Sequence, residues 1–181
     1  MIACYGDGDI AVNTRCQQLI SMGKIYTPCI RVWSIKVTPS VQLFVFLLLN
    51  GRISTQDMLL RKGLQVVPGC ALCGSNTVET ALHLFFQCSF ACQFWSEMSR
   101  VTAMPNPSLK DTVLESILAT CKGFDGASKR GWEVLTLLSL WTLWCERNHR
   151  IFRGKQRPVQ ILVQKVLQEE RYLNGFATPI T

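Results

Sequence analysis

The sequence predicts a mainly α protein in which a small helical domain is followed by a Trp-rich helical hairpin. Apolar residues recur near helical spacing in residues 132–152, and Gly154 ends this pattern. Pro158 then suits the first turn of another helix with a single apolar stripe. Alternating, strand-like patterns are rare in the rest of the chain. These observations favour helix over sheet.

Length and composition limit the classes of protein to consider. The chain has 181 residues, of which 48% are hydrophobic and 17% charged. It can bury a core as one domain or two small ones, but it is too short for a complete polymerase. The hydrophobic fraction excludes a disordered chain. The net charge of +7 permits an anionic partner.

Cysteine content and the chain start bear on localisation. A secreted disulfide scaffold would have an even number of cysteines and an export signal, whereas this chain has nine. Residues 1–9 have neither a basic nor an apolar signal region. The longest apolar run, residues 41–49, is far shorter than the roughly 20 residues of a membrane span. We therefore expect an intracellular protein, in the nucleus or cytoplasm, that is not secreted and has no membrane partner.

Three regions follow along the chain. Residues 1–28 are poorly patterned, residues 29–103 form the first domain, and residues 104–181 form a helical C-terminal region. Within the first domain, residues 33–37 alternate like a strand. Residues 41–50 are a buried helix or a buried strand, which periodicity cannot separate at this length.

Capping residues predict where further helices begin. Thr55 resembles the N-cap of a helix that Gly63 closes. Asn76 with Glu79 resembles a capping box, which predicts a helix from about Thr77. A Pro-rich linker at residues 104–108 precedes a modest helix at residues 109–120.

One constellation has the spacing of a metal site: Cys70-x2-Cys73-x9-His83-x4-Cys88. A CxxC in a tight turn places two thiolates within reach of one tetrahedral ion, and a His and a Cys from a following helix complete its shell. The pattern predicts bound zinc. Four protein ligands leave no open position, so the site would be structural.

The spacing leaves the fourth ligand open. His83 and Cys88 are five residues apart, which is about 140° around an ideal α-helix. They can share a metal if the helix bends or if Cys88 lies at its end. Cys92 is the rival ligand. The alternative to a metal site is a metal-free helical core in which the cysteines are small buried residues.

A second candidate site is basic. Arg147, Arg150, Arg153 and Lys155 form a stripe that could neutralise the phosphates of RNA or DNA. The alternative is a solvated helix end whose cations complement the helix dipole.

Catalytic residues are not evident. Of the two histidines, one is a predicted metal ligand, and His149 has no evident nucleophile partner. Neither GxGxxG nor a P-loop lysine occurs. The sequence predicts no enzymatic activity and no small-molecule substrate.

Several motifs, in order, resemble the zinc-binding domain that follows the reverse transcriptase of plant non-LTR retroelements. They are Trp33-x-Ile35-Lys36-Val37-x-Pro39, Asn50-Gly51-Arg52-Ile53-Ser54-Thr55, Arg61-Lys62-Gly63, Cys70-Ala71-Leu72-Cys73-Gly74, His83-Leu84-Phe85-Phe86, Cys88 and Phe94-Trp95. A later segment, Trp141-x-x-Trp144-x-Glu146-Arg147-Asn148, is similar to the tail that often follows this domain. The resemblance covers roughly residues 33–173.

The resemblance implies a CCHC zinc site at the four predicted ligands and an origin in a retroelement. We therefore expect a non-enzymatic zinc-binding module with weak electrostatic affinity for nucleic acid. The rival hypothesis is a protein-interaction or structural module that forms homo-oligomers through the helix from Trp132 to Trp144.

Overall fold

The computed structural model describes residues 32–120, 124 and 126–175, and these residues contain helices but no strand. The prediction of a mainly α protein is confirmed. The poorly patterned segment 1–28 lies outside the described residues. The elements are α1 (Pro39–Leu49), α2 (Gln56–Arg61), a π-helical turn (His83–Gln87), α3 (Ser89–Thr102), α4 (Val113–Thr120), α5 (Gly126–Arg153) and α6 (Val159–Leu173). None of the described helices has the length and apolar character needed to cross a bilayer.

The strand-like interpretation of residues 33–37 is wrong. Residues 32–34 form a 3₁₀ turn, and α1 begins at Pro39. The side-chain amide of Gln42 in α1 donates to the carbonyl oxygens of Ile35 (3.1 Å) and Trp33 (3.4 Å). These carbonyls are therefore satisfied by the following helix and need no neighbouring strand. The apolar run at residues 41–50 is a helix.

The predicted capping box at Asn76 is also wrong. The helix containing His83 begins at residue 81, and the Thr80 hydroxyl accepts the His83 amide at 3.0 Å. Glu79 cannot reach back toward Asn76, because its buried carboxylate pairs with Arg147 in α5. A partner distant in sequence thus overrides the local capping signal.

A true capping box occurs at α4. The Glu115 amide donates to the Thr112 hydroxyl, and the Thr112 amide donates to the Glu115 carboxylate, both at 3.2 Å. This reciprocal pair explains why the helix begins at Val113, later than the predicted residue 109.

Helix α5 is the longest helix of the described residues. It has 28 residues, which corresponds to a length of about 42 Å, and it packs against α1, α6 and the π-helical turn. Its apolar middle, including Leu138 and Leu143, is fully buried. Trp144 stacks on Phe44 of α1, with ring centroids 5.8 Å apart.

Helices α5 and α6 form the predicted Trp-rich hairpin, and α6 also packs against α3. One hydrophobic core runs from Val32 to Val166. The core is therefore continuous across the predicted boundary between residues 29–103 and 104–181. The region that carries the cysteines and the C-terminal helices share their interior.

Candidate metal centre

Four side chains converge where the chain turns from residue 70 toward α3. The potential ligand atoms of Cys70, Cys73, His83 and Cys88 all lie within 4.8 Å of one another. Cys70 and Cys88 are buried, whereas Cys73 and His83 are partly exposed. This is the set that the sequence motif selects.

The distances fit a tetrahedral metal. Zinc–sulfur bonds of about 2.3 Å and zinc–nitrogen bonds of about 2.0 Å imply S···S separations of about 3.8 Å and S···N separations of about 3.5 Å. The Sγ atoms of Cys70 and Cys88 are 3.8 Å apart, and Cys73 Sγ lies 3.5 Å from His83 Nε2. The first pair is also too far apart for a disulfide bond.

The turn that carries Cys70 and Cys73 is closed by backbone hydrogen bonds. The Gly74 amide donates to the Cys70 carbonyl at 2.8 Å, and the Cys70 amide donates to the Ser75 carbonyl at 2.9 Å. Gly74 has a φ of 71°, a left-handed conformation that favours glycine. The glycine after the second cysteine therefore lets the chain fold tightly around both thiols.

The π-helical turn explains how His83 and Cys88, five residues apart, come close to each other. The Cys88 amide donates to the His83 carbonyl at 2.7 Å, a bond that spans five residues where an α-helix spans four. Cys88 itself has extended backbone and occupies the N-cap position of α3. The wider turn and the break at Cys88 direct both side chains to the same point.

Cys92, the rival ligand, lies outside this cluster. It is exposed on α3, and its thiol donates to the Phe86 carbonyl at 3.5 Å. The geometry favours Cys88 as the fourth ligand.

The cluster favours thiolates at Cys70 and Cys73 and a protonated thiol at Cys88 in the absence of metal. The hydrogen bond between the Cys70 and Cys88 sulfurs lowers the pKa of Cys70 to about 4 and raises the pKa of Cys88. Burial raises the pKa of Cys73, but hydrogen bonds with Ser75 and His83 outweigh burial and leave that pKa lowered. Burial lowers the pKa of His83, but its hydrogen bonds with Cys73 and Cys70 outweigh burial and leave that pKa raised. A metal cation bound between these side chains would displace the protons that they share.

A buried glutamine holds the chain that leads into the site. The Gln56 side-chain amide donates to the Gly69 carbonyl at 2.7 Å, and its oxygen accepts the Gly69 amide at 3.2 Å and the Glu79 amide at 3.1 Å. One side chain thus ties α2 to the two segments on either side of the cysteine turn.

The predicted phosphate-binding residues divide into two pairs. The inner pair is Arg147 and Arg150, and the outer pair is Arg153 and Lys155. Arg147 is buried, and its guanidinium donates to the Glu79 carboxylate at 2.8 and 3.0 Å. The Arg150 side chain is only 9% exposed and is paired with Glu146 at 2.8 Å. Protein carboxylates pair with both guanidinium groups in this structure, and phosphate contact by the inner pair stays a prediction.

The outer pair is exposed, at and just beyond the end of α5. Phe152 beside it is 67% exposed. The outer pair therefore keeps the accessibility that phosphate contact requires.

Sequence reasoning missed the buried carboxylates Glu79 and Glu146. Glu79 is separated from Arg147 by 68 positions, so no local spacing reveals the pair. Burial raises the pKa of Glu79, and the hydrogen bond from Arg147 opposes this effect only in part. For Glu146 the available signal was its spacing of four residues from Arg150 on one helix.

The comparisons with known proteins agree with the geometry. Residues 14–95 match the model of a family described as zinc-binding in reverse transcriptase. No curated protein and no solved structure matches the chain significantly. The matched segment contains all four clustered residues and ends before α5. Over residues 14–95 the chain is therefore similar to the zinc-binding domains of reverse transcriptases.

Proposed function

We propose that the protein is a non-enzymatic module in which Cys70, Cys73, His83 and Cys88 bind one structural zinc ion. The observation that carries this proposal is the pair of ligand separations, 3.8 Å between two sulfurs and 3.5 Å between sulfur and nitrogen. Three thiolates and one imidazole suit zinc. Four protein ligands leave no position for a substrate or a reactive water, which supports a structural role.

Cobalt titration tests the zinc site. Metal-free, reduced full-length protein should develop a thiolate-to-cobalt absorption band that saturates at one ion per chain, and zinc should then displace the cobalt. A chain that takes up no cobalt and no zinc under these conditions would overturn the proposal. Such a site requires reduced thiols, which supports the expected location in the nucleus or cytoplasm.

We further propose weak, largely electrostatic binding of RNA or DNA through the outer pair. The supporting observation is an exposed aromatic ring beside two exposed cations, since Phe152 directly precedes Arg153. Aromatic rings stack on unpaired bases, and cations neutralise phosphates, so a single strand is the expected ligand. The family match of residues 14–95 supports an origin in a retroelement.

A salt titration of binding to a single-stranded RNA oligonucleotide tests this second proposal. Affinity should fall steeply as salt rises, because each phosphate contact releases counterions. No binding at low salt, or an affinity that does not change with salt, would overturn it and favour the protein-interaction alternative. In the described residues, the apolar side chains of α5 from Leu135 to Leu143 pack in the core of a single chain. This packing weakens the case for oligomerisation through this helix.

A further inference from the structure

Arg150 connects α5 to the turn between the first two cysteines. Its Nη1 atom donates to the Leu72 carbonyl at 2.7 Å and lies 3.5 Å from the Ala71 carbonyl. Leu72 and Ala71 are the two residues between Cys70 and Cys73. A residue far along the sequence thus holds the turn that presents two of the four candidate ligands.

The same guanidinium also contacts the other half of the site. Its central carbon lies 4.2 Å from the ring centroid of Phe90, which is two residues beyond Cys88 in α3. Arg150 therefore bridges the cysteine turn and the helix that begins after the fourth ligand.

The position of the guanidinium is itself fixed. Its Nε atom donates to Glu146 Oε1 at 2.8 Å, and the same oxygen accepts the Arg157 backbone amide at 2.9 Å. Glu146 is fully buried as a side chain. The segment after α5 and the helix itself thus hold Arg150 in one orientation.

We propose that Arg150 is a positioning residue of the metal centre, so that α5 completes a site whose ligands all lie outside this helix. This inference rests on the proposed zinc site. Three thiolates and a neutral imidazole around a divalent ion leave one net negative charge, which the arginine offsets. Groups behind metal ligands commonly change metal affinity by about 10- to 100-fold when they are replaced.

The test is competition for zinc between a chromophoric chelator and the full-length chain, in the wild type and in Arg150→Met. The variant should bind zinc roughly 10- to 100-fold more weakly, and its cobalt spectrum should broaden because the cysteine turn is less fixed. Arg130→Met is the matched control, since it removes the same charge from an exposed position on the same helix. The control should keep wild-type affinity.

Equal zinc affinity in Arg150→Met and the wild type would overturn the inference while leaving the zinc site intact. Failure of the wild type itself to bind zinc would instead overturn the proposed function. If Arg150→Met does not fold, Arg150→Lys decides, because an ammonium keeps the charge but not the fork of donors that joins Leu72 to Glu146. Reduced zinc affinity with wild-type helix content supports the inference, and wild-type affinity contradicts it.

Discussion

The inner and outer pairs of cations at the end of α5 carry the same charge and follow one another along the chain, yet their surroundings are opposite. The inner pair is covered by Glu79, Glu146 and the carbonyls of the cysteine turn. The outer pair projects into solvent. The difference shows that a run of basic residues in a sequence does not by itself identify a binding surface. Burial and the nearest carboxylate decide whether an arginine supports the fold or is free for a ligand.

The largest effect should come from the candidate metal centre, which Arg150 of the inner pair contacts. Cys73→Ser removes a ligand, and because metal binding is coupled to folding, zinc should be lost and residues 70–88 should unfold. Cys92→Ser is the matched control on an exposed thiol and should change the free energy of unfolding by less than about 0.5 kcal/mol. Zinc content and thermal melting measure both. Equal melting of the two variants would argue against the metal site.

The next effect concerns the buried ion pair. Arg147→Met leaves the Glu79 carboxylate buried without its partner, and we expect a loss of about 3–5 kcal/mol in the free energy of unfolding. Urea denaturation measures the loss. The double variant Arg147→Met with Glu79→Gln should recover much of it, because the unpaired charge is gone.

Arg100→Met supplies the control for this pair. Arg100 binds Glu97 at 2.6 Å on the surface, where its side chain is 69% exposed, and its removal should cost far less stability than the removal of Arg147. If Arg147→Met were as mild as Arg100→Met, the inner pair would not be a structural element of the fold.

The smallest effect concerns the outer pair and should leave stability unchanged. Replacing Arg153 and Lys155 together by Gln should lower the affinity for single-stranded RNA alike for all sequences. It should also reduce the slope of log affinity against log salt by roughly 0.7 per lost phosphate contact. The matched control replaces Arg52 and Lys110, two other exposed cations, by Gln. An identical response of both double variants would assign the binding to net charge alone.

The features that the sequence predicted well depend on neighbours in the chain. The mainly α class followed from helical spacing, and the four converging side chains follow from a CxxC turn and a helix close behind it. The closing π-helical turn at His83 was not predictable, although the five-residue spacing to Cys88 correctly identified where an ideal α-helix would fail.

The features that were mispredicted depend on partners outside the local sequence pattern. Glu79 looked like a capping residue for Asn76 because it was interpreted without Arg147, its ion-pair partner 68 positions further along the chain. Residues 33–37 alternate between apolar and polar side chains and so looked like a strand. Alternation does not reveal that the carbonyls of Trp33 and Ile35 accept hydrogen bonds from Gln42. In both cases a hydrogen-bond partner outside the local pattern overrode the structure that the pattern predicts.

The central claim is that one zinc ion joins the cysteine turn, His83 and Cys88 into a unit with α5. Native mass spectrometry of the purified full-length chain, with and without a strong chelator, tests it most directly. We expect one zinc per chain, lost on chelation together with a shift to higher charge states that reports the loss of compact structure. A chain that carries no metal and keeps the same compact charge states with and without chelator would contradict the account.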